Sequence, residues 1–172
     1  VTNLLVDITK QQDPAARLLA YAGVERITYA VLQKLQQQAL VGAAIEQLLL
    51  ELKTLVNAER SYTPAEKDLL QSFGERLSSV LFAQVLAERG AAVSSFDVRR
   101  VMRTDGRFGK GEPQIRDIAA LTSQYLLPLL SQQLIVTQGF IGADVQGQTT
   151  TLGRGGSDYS AAILGEAIGA RV

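Results

Sequence analysis

Apolar residues recur every three to four positions along the first two-thirds of the chain, the spacing of helices with one buried face. Leu18, Leu19, Ala22, Ile27, Val31 and Leu35 form one such series, with Gly23 as a candidate break. Val41, Ile45, Leu48, Leu52, Leu55 and Val56 form a clearer one, with Glu46, Lys53 and Glu59 on its polar side. Leu69, Leu70, Leu77, Leu81 and Val85 form a third. The residues between these series act as punctuation. Thr2 or Asn3 is placed to cap a short helix running to Lys10. Asp13-Pro14 sets a capping side chain before a proline in the first turn, where a missing N–H is harmless. Thr63-Pro64-Ala65-Glu66 has the form of a capping box. Gly74 is a candidate interruption, and Gly90 a terminator.

Beyond Gly90 the pattern changes. Residues 92–98 read as a strand and residues 134–138 as a short buried strand, with 149–152 extended again. Residues 104–113 are charged and glycine-rich, which predicts an exposed loop. Residues 115–130 predict an amphipathic helix that Pro128 ends or bends. Residues 140–148 and 153–158 read as turns and 159–168 as a final helix, with Arg171-Val172 opening a further element. Strands alternating with helices predict an α/β fold with a largely parallel sheet. Two firm strands are too few for a complete doubly wound sheet, so part of the domain is expected outside this sequence.

Composition narrows the chemistry. The 172 residues suit one domain with a proper core. Lysine plus arginine and aspartate plus glutamate number 17 each, so there is no global electrostatic case for nucleic acid or an anionic membrane. With no cysteine and no histidine, disulfides, thiolate catalysis and zinc thiolate sites are excluded, and the commonest general base is absent. Reactive groups must be carboxylates, lysine, arginine, hydroxyls and backbone amides. No apolar run is long enough to span a membrane and no secretory leader is visible, so a cytoplasmic protein is expected. The first residue is valine, which places the expected natural start upstream.

The segment that carries chemistry is Gly153-Arg154-Gly155-Gly156-Ser157-Asp158, between extended chain and a helix. Glycines let a ligand approach the backbone, and the following helix opens with unpaired amides and a partial positive charge. Arg154 adds a planar fork suited to carboxylate or phosphate. Ser157 offers a hydroxyl, and Asp158 a partner for an ammonium or a lysine. The same pattern also suits a plain turn capped by Ser157 or Asp158. It is no P-loop, and neither is Gly109-Lys110-Gly111, since Glu112 follows. Lys110, Asp105 and Arg107 read as loop surface. Asp97, Arg99, Arg100 and Arg103 read as a solvated or structural charge cluster that could also meet an effector or another subunit.

Read in order, Thr137-Gln138-Gly139-Phe140-Ile141-Gly142 and then Thr149-Thr150-Thr151-Leu152 running into Gly153 through Ala162 resemble the signature of the aspartate kinases in the amino-acid kinase family. Val1-Thr2-Asn3-Leu4-Leu5 is similar to the stretch after that family's second strand, and Ser72-Phe73-Gly74-Glu75 to its Ser-x-Gly-Glu helix motif. Phe96 through Thr104 is similar to the lysine-sensitive class in particular. The resemblance implies the carbamate-kinase-like three-layer α/β fold with a helix-rich N-terminal lobe, residues 1–172 forming its aspartate-binding part, truncated at both ends and without the ACT regulatory domains. It implies transfer of the ATP γ-phosphate to the β-carboxylate of L-aspartate, with magnesium. Arg154 would hold the α-carboxylate, Glu75 and Asp158 would face the ammonium, and Asp158 would also order a catalytic lysine. Thr2 and Ser157 would lie near the reacting end, with Gly155 and Gly156 in the substrate turn. Lysine feedback through ACT domains and a homo-oligomer are implied partners. Taken without the family, Glu75 reads as one more solvated helix residue. The competing readings are the kinase half of a bifunctional aspartate kinase–homoserine dehydrogenase, a non-catalytic amino-acid-binding module and a helical interaction domain.

Overall fold

The structure is a computed structural model that describes residues 1–58 and 60–170. The expectations for Glu59 and for Arg171-Val172 lie outside the described residues. The chain divides into two compact units, Val1–Ala91 and Ala92–Val172.

The first unit is helical: α1 (Thr2–Lys10), α2 (Pro14–Leu32), α3 (Ala39–Val56) and α4 (Pro64–Glu88). α1 packs on α2 and α4, and α3 on α4 and α2. Leu5, Ile8, Val24, Ile45, Leu52, Leu70 and Phe73 fill the space between them. Three of the local start and stop signals hold. The Asp13 carboxylate accepts from the Ala15 N–H at the head of α2. The Thr63–Glu66 capping box forms at the head of α4. Gly90 takes φ +86°, and with the Gly90 and Ala91 amides turned back to Ala87 and Leu86 it closes α4.

Four expectations for this unit are corrected. No Thr2 or Asn3 side chain caps α1; Val1 holds the cap position without a side-chain bond. Gly23 and Gly74 leave α2 and α4 unbroken. Gly23 instead allows helices to approach, because a Cβ there would lie 2.9 Å from Leu4 Cδ1. The buried face of α2 differs from the expected one: Leu18, Leu19, Ile27 and Val31 are exposed, while Arg17, Tyr21, Val24, Thr28 and Leu32 are buried; of the expected series Leu35, just past the helix, is buried. The buried face carries polar ends satisfied locally, Thr28 Oγ1 donating to Val24 O and the Tyr21 hydroxyl to Glu25. A pattern read from apolar residues alone passes over it.

The capping box has a consequence for pH. Arg60 forks onto Glu66, and the Thr63 amide and hydroxyl donate to the same carboxylate, holding its pKa down at about 2 from an ordinary 4.5. A carboxyl group with a folded-state pKa below its unfolded value contributes stability above the unfolded value and loses it as pH falls through the folded one. Unfolding free energy should therefore decline between about pH 4.5 and about pH 2, and Glu66→Gln should remove part of that decline. Thr63→Ala should cost about 1 kcal/mol at neutral pH. Urea midpoints of the three proteins across this range test both statements; identical pH profiles for wild type and Glu66→Gln would refute the first.

The second unit contains β1 (Val93–Phe96), a 3-10 turn (Val98–Arg100), α5 (Ile115–Leu121), a π turn (Thr122–Leu126), α6 (Leu127–Leu130), β2 (Leu134–Thr137), β3 (Ile141–Ala143), β4 (Thr149–Thr151) and α7 (Gly156–Ala167). β1 and β2 pair in parallel, with Val93 opposite Leu134 and Phe96 opposite Thr137. β3 and β4 form an antiparallel hairpin, with Ile141 opposite Thr151. Phe96, Val98, Met102, Ile118, Ile141 and Ile163 form its core.

Here too the sequence reading needs correction. Residues 140–148 contain β3, which three residues including a glycine could not announce; pairing with β4 makes it a strand. β2 is half-exposed rather than buried, because the sheet has only two strands among the described residues. The 104–113 loop is anchored at both ends, with Thr104, Gly111 and Pro113 buried. Helical chain does run from Ile115 to Leu130 as expected, but it is interrupted by a π turn just ahead of Pro128. There the Leu127 N–H reaches Thr122 O, which makes room where a proline ring would strike the carbonyl one turn back.

Candidate functional site

The expected site residues fall into two groups, one in each unit. In the first, α1 brings Thr2 and α4 brings Glu75 to one cavity of about 420 Å³. Its other walls are mostly apolar, among them Val1, Ile27, Val31, Leu81 and Phe82. Glu75 is half-buried, and its carboxylate has no hydrogen-bond or ion-pair partner among the described residues. Burial pushes its pKa above the ordinary carboxylate value. An unpaired carboxylate in an apolar wall is costly to keep charged, and a cationic ligand would relieve that cost. Beside it, a Cβ on Gly74 would stand 3.2 Å from Leu5 Cδ1, so the glycine lets α1 approach α4 at this point.

In the second unit the group lies where β4 turns into α7. Gly155 is the N-cap at φ +75°, a conformation that favours glycine. Gly156 packs so closely that a Cβ would meet Leu152 Cβ at 2.9 Å and Phe140 Cδ2 at 3.0 Å. The turn is closed by the Gly156 N–H on Gly153 O. The Ser157 and Asp158 amides, at the head of α7, have no acceptor among the described residues. Arg154, Ser157 and Asp158 are exposed, and neither Arg154 nor Asp158 makes an ion pair among the described residues. The helix start thus presents a guanidinium, free amides, a hydroxyl and a carboxylate on a few consecutive residues. Such a set takes a small ligand bearing both an anion and a cation.

Sequence reasoning missed three features around this turn. Phe140 has φ +68°, the only non-glycine residue with positive φ among those described. Ser160, fully buried, accepts from the Phe140 N–H at 3.0 Å and donates to Ser157 O at 2.9 Å. The loop of Lys110, read as free surface, lies along the turn: a Cβ on Gly153 would be 3.2 Å from Gly109 O and 3.6 Å from Lys110 Cγ. The one available signal was Ser160 standing three residues after Ser157, one helical turn on. Asp97, Arg99 and Arg103 are engaged within their own unit. Asp97 caps the 3-10 turn and pairs with Arg99, and Arg103 donates to Asp144 O.

The description "Amino acid kinase family" belongs to the sequence model that matches residues 12–172. The chain belongs to the amino acid kinase family. It is 44% identical over 169 residues to lysine-sensitive aspartokinase 3 of Escherichia coli K12, covering 98% of this chain and 38% of that protein. It is 35% identical over 117 residues to aspartokinase 1 of Bacillus subtilis, covering 67% of this chain and 28% of that protein. The fold matches the crystal structure of E. coli aspartokinase III in complex with lysine and aspartate at a TM-score of 0.95, over 98% of this chain and 38% of that one. The same enzyme in complex with aspartate and ADP gives 0.94. The amino acid kinase fold, mixed α/β and rich in helix with a parallel strand pair, is thereby established. The chain spans less than two-fifths of the length of these relatives. Among the described residues no helix is long and apolar enough to cross a membrane.

Proposed function

We propose that the chain carries the aspartate-binding part of an aspartate kinase, which moves the γ-phosphoryl group of ATP to the β-carboxylate of L-aspartate and releases ADP. The observation that carries this reading is 44% identity across 98% of the chain to lysine-sensitive aspartokinase 3, with a TM-score of 0.95 to its aspartate complex. In this reading Arg154 pairs with the α-carboxylate, Glu75 and Asp158 face the ammonium, and Thr2 and Ser157 stand near the reacting end, with Gly155 and Gly156 shaping the turn. A β-carboxylate oxygen attacks the γ-phosphorus, the bond to the bridging β–γ oxygen breaks, and its electrons leave with ADP. The acceptor is already ionised at neutral pH, so no general base is required, consistent with a chain that has no histidine. The protein's part is to position the acceptor and balance its charges.

In this reading magnesium arrives on the ATP phosphates, whose charge it balances. We place the main nucleotide contacts, the ACT domains, lysine feedback and the homo-oligomeric contacts in the further length that the relatives possess, and the enzyme in the cytoplasm with its substrates. A protein of the relatives' length carrying this sequence should release ADP from MgATP only with L-aspartate present. Hydroxylamine should trap the acyl phosphate as the hydroxamate. The 172 residues alone should release none. Absence of aspartate-dependent ADP from the long protein, or its presence with a mass-verified sample of this chain alone, would contradict the respective statement.

A further inference from the structure

We propose that Ser160 is a positioning residue for aspartate, its buried hydroxyl latching the Phe140 backbone to the first turn of α7 and so fixing where Arg154, Ser157 and Asp158 point. The inference rests on the reading of that turn as the amino-acid site.

Three observations converge on the latch. Ser160 has no exposed surface, and its Oγ accepts from the Phe140 N–H at 3.0 Å while donating to Ser157 O at 2.9 Å. A single atom therefore ties the turn after β2 to the helix that begins after β4. Phe140 is held at φ +68°, an unfavourable conformation for a residue with a large side chain, which persists only where the surroundings over-determine it. The surroundings are close: a Cβ on Gly139 would lie 3.2 Å from both Cα and Cβ of Ser157, and one on Gly156 would lie 3.0 Å from the Phe140 ring. The Phe140 carbonyl also accepts from the Leu152 N–H at 2.9 Å, so the strained residue is bonded on both sides, to β4's exit and to α7. Arg154 lies between those two anchor points in sequence, and Ser157 is itself an acceptor in the latch.

Removing the hydroxyl leaves the Phe140 N–H without its partner and frees the backbone to relax from positive φ. The first turn of α7 then loses its fixed register, and the groups on it lose their common aim. The cost should fall on aspartate rather than on nucleotide. In a protein of the relatives' length, Ser160→Ala should raise the Michaelis constant for aspartate roughly tenfold, move that for ATP less than about twofold, and speed hydrogen exchange at the Phe140 amide. Ser160→Thr, which keeps the hydroxyl, should restore most of the loss. Thr104→Val breaks a different buried bond of this unit, Thr104 Oγ1 to Thr150 Oγ1 at 2.7 Å, and should lower stability without moving the aspartate constant. Should Ser160→Ala fail to fold, Gly139→Ala pushes on Ser157 with the hydroxyl retained and should shift the aspartate constant in the same direction. A Ser160→Ala enzyme with an aspartate constant within twofold of wild type, or one whose shift Thr104→Val reproduces, would overturn the proposal. Arg154→Ala assayed in parallel separates the two levels: if it too leaves aspartate unaffected, the site reading fails; if it alone impairs aspartate, only the latch does.

Discussion

Replacing Arg154 with alanine in a protein of full family length is expected to raise the Michaelis constant for aspartate by one to two orders of magnitude. A buried charge-assisted pair costs about 2–5 kcal/mol when one partner is truncated. Arg154 is exposed here, so the lower end applies, and about 2 kcal/mol is about thirtyfold. Arg154→Lys should recover only part of this, since an ammonium cannot reproduce two parallel N–H bonds to one carboxylate. Glu75→Gln should weaken aspartate as well, because in the proposed reading it removes a charge facing the ammonium and keeps the shape. Steady-state kinetics with each substrate varied in turn decides the matter. If Arg154→Ala weakens ATP and spares aspartate, the Gly153–Gly155 turn and the head of α7 form a phosphate site and the assignment of the amino-acid pocket is wrong.

Arg154 sits in a segment whose form has a local cause, as do the helix ends of the first unit. Asp13-Pro14, Thr63 through Glu66 and Gly90 act within one helical turn, so their meaning survives without knowledge of the fold. Gly155 and Gly156 belong to the same class: a glycine pair ahead of a helix has a local cause. β3 was not legible because Ile141-Gly142-Ala143 becomes a strand only by pairing with Thr149–Thr151, a non-local event. The buried face of α2 was not legible because it carries Arg17, Tyr21 and Thr28, whose polar ends find partners that only the folded chain supplies.

At the candidate site the same division holds. Types and spacing single out Arg154, Ser157 and Asp158 as a candidate anion site, a pattern that equally suits a plain capped turn, and their roles toward aspartate come from the family resemblance. They do not single out Glu75; a lone glutamate on a helix reads as surface, and only the family resemblance singled it out. The structure adds a physical reason, a half-buried carboxylate with a raised pKa in a mostly apolar wall beside Thr2. Phe140 was invisible because a positive φ is a property of packing, and Ser160 left no trace beyond its place one helical turn after Ser157.

The largest expected effect on stability comes from Arg17, the buried arginine of α2. Its Nε donates to Gln11 O at 2.8 Å, and Nη1 to Ala58 O at 2.7 Å and Arg60 O at 3.1 Å. Its guanidinium also stacks 4.4 Å from the Tyr62 ring centroid. One side chain thus satisfies carbonyls in two separate connections, the one between α1 and α2 and the one between α3 and α4. Among the described residues these carbonyls have no backbone partner, and an acceptor left unpaired costs about 1–3 kcal/mol where it is buried and less where water reaches it, as it can at Gln11 and Arg60. Arg17→Ala should therefore destabilise the first unit by about 3 kcal/mol, the total held down because the polar cavity between Lys10, Arg17 and Lys67 admits water to some of the freed carbonyls. Arg17→Lys should recover less than half: it keeps the charge, but one ammonium at the end of a flexible stem cannot reach three carbonyls fixed by a fork or stack on the ring. Arg17→Met should resemble the alanine variant more than the lysine one if hydrogen bonds, rather than the packed stem, carry the effect. Urea unfolding monitored by exchange of the amides on either side of the two connections measures all three. A change below about 0.5 kcal/mol in Arg17→Ala would mean the carbonyls find water without cost, and the arginine would then be a bystander to the helix packing around it.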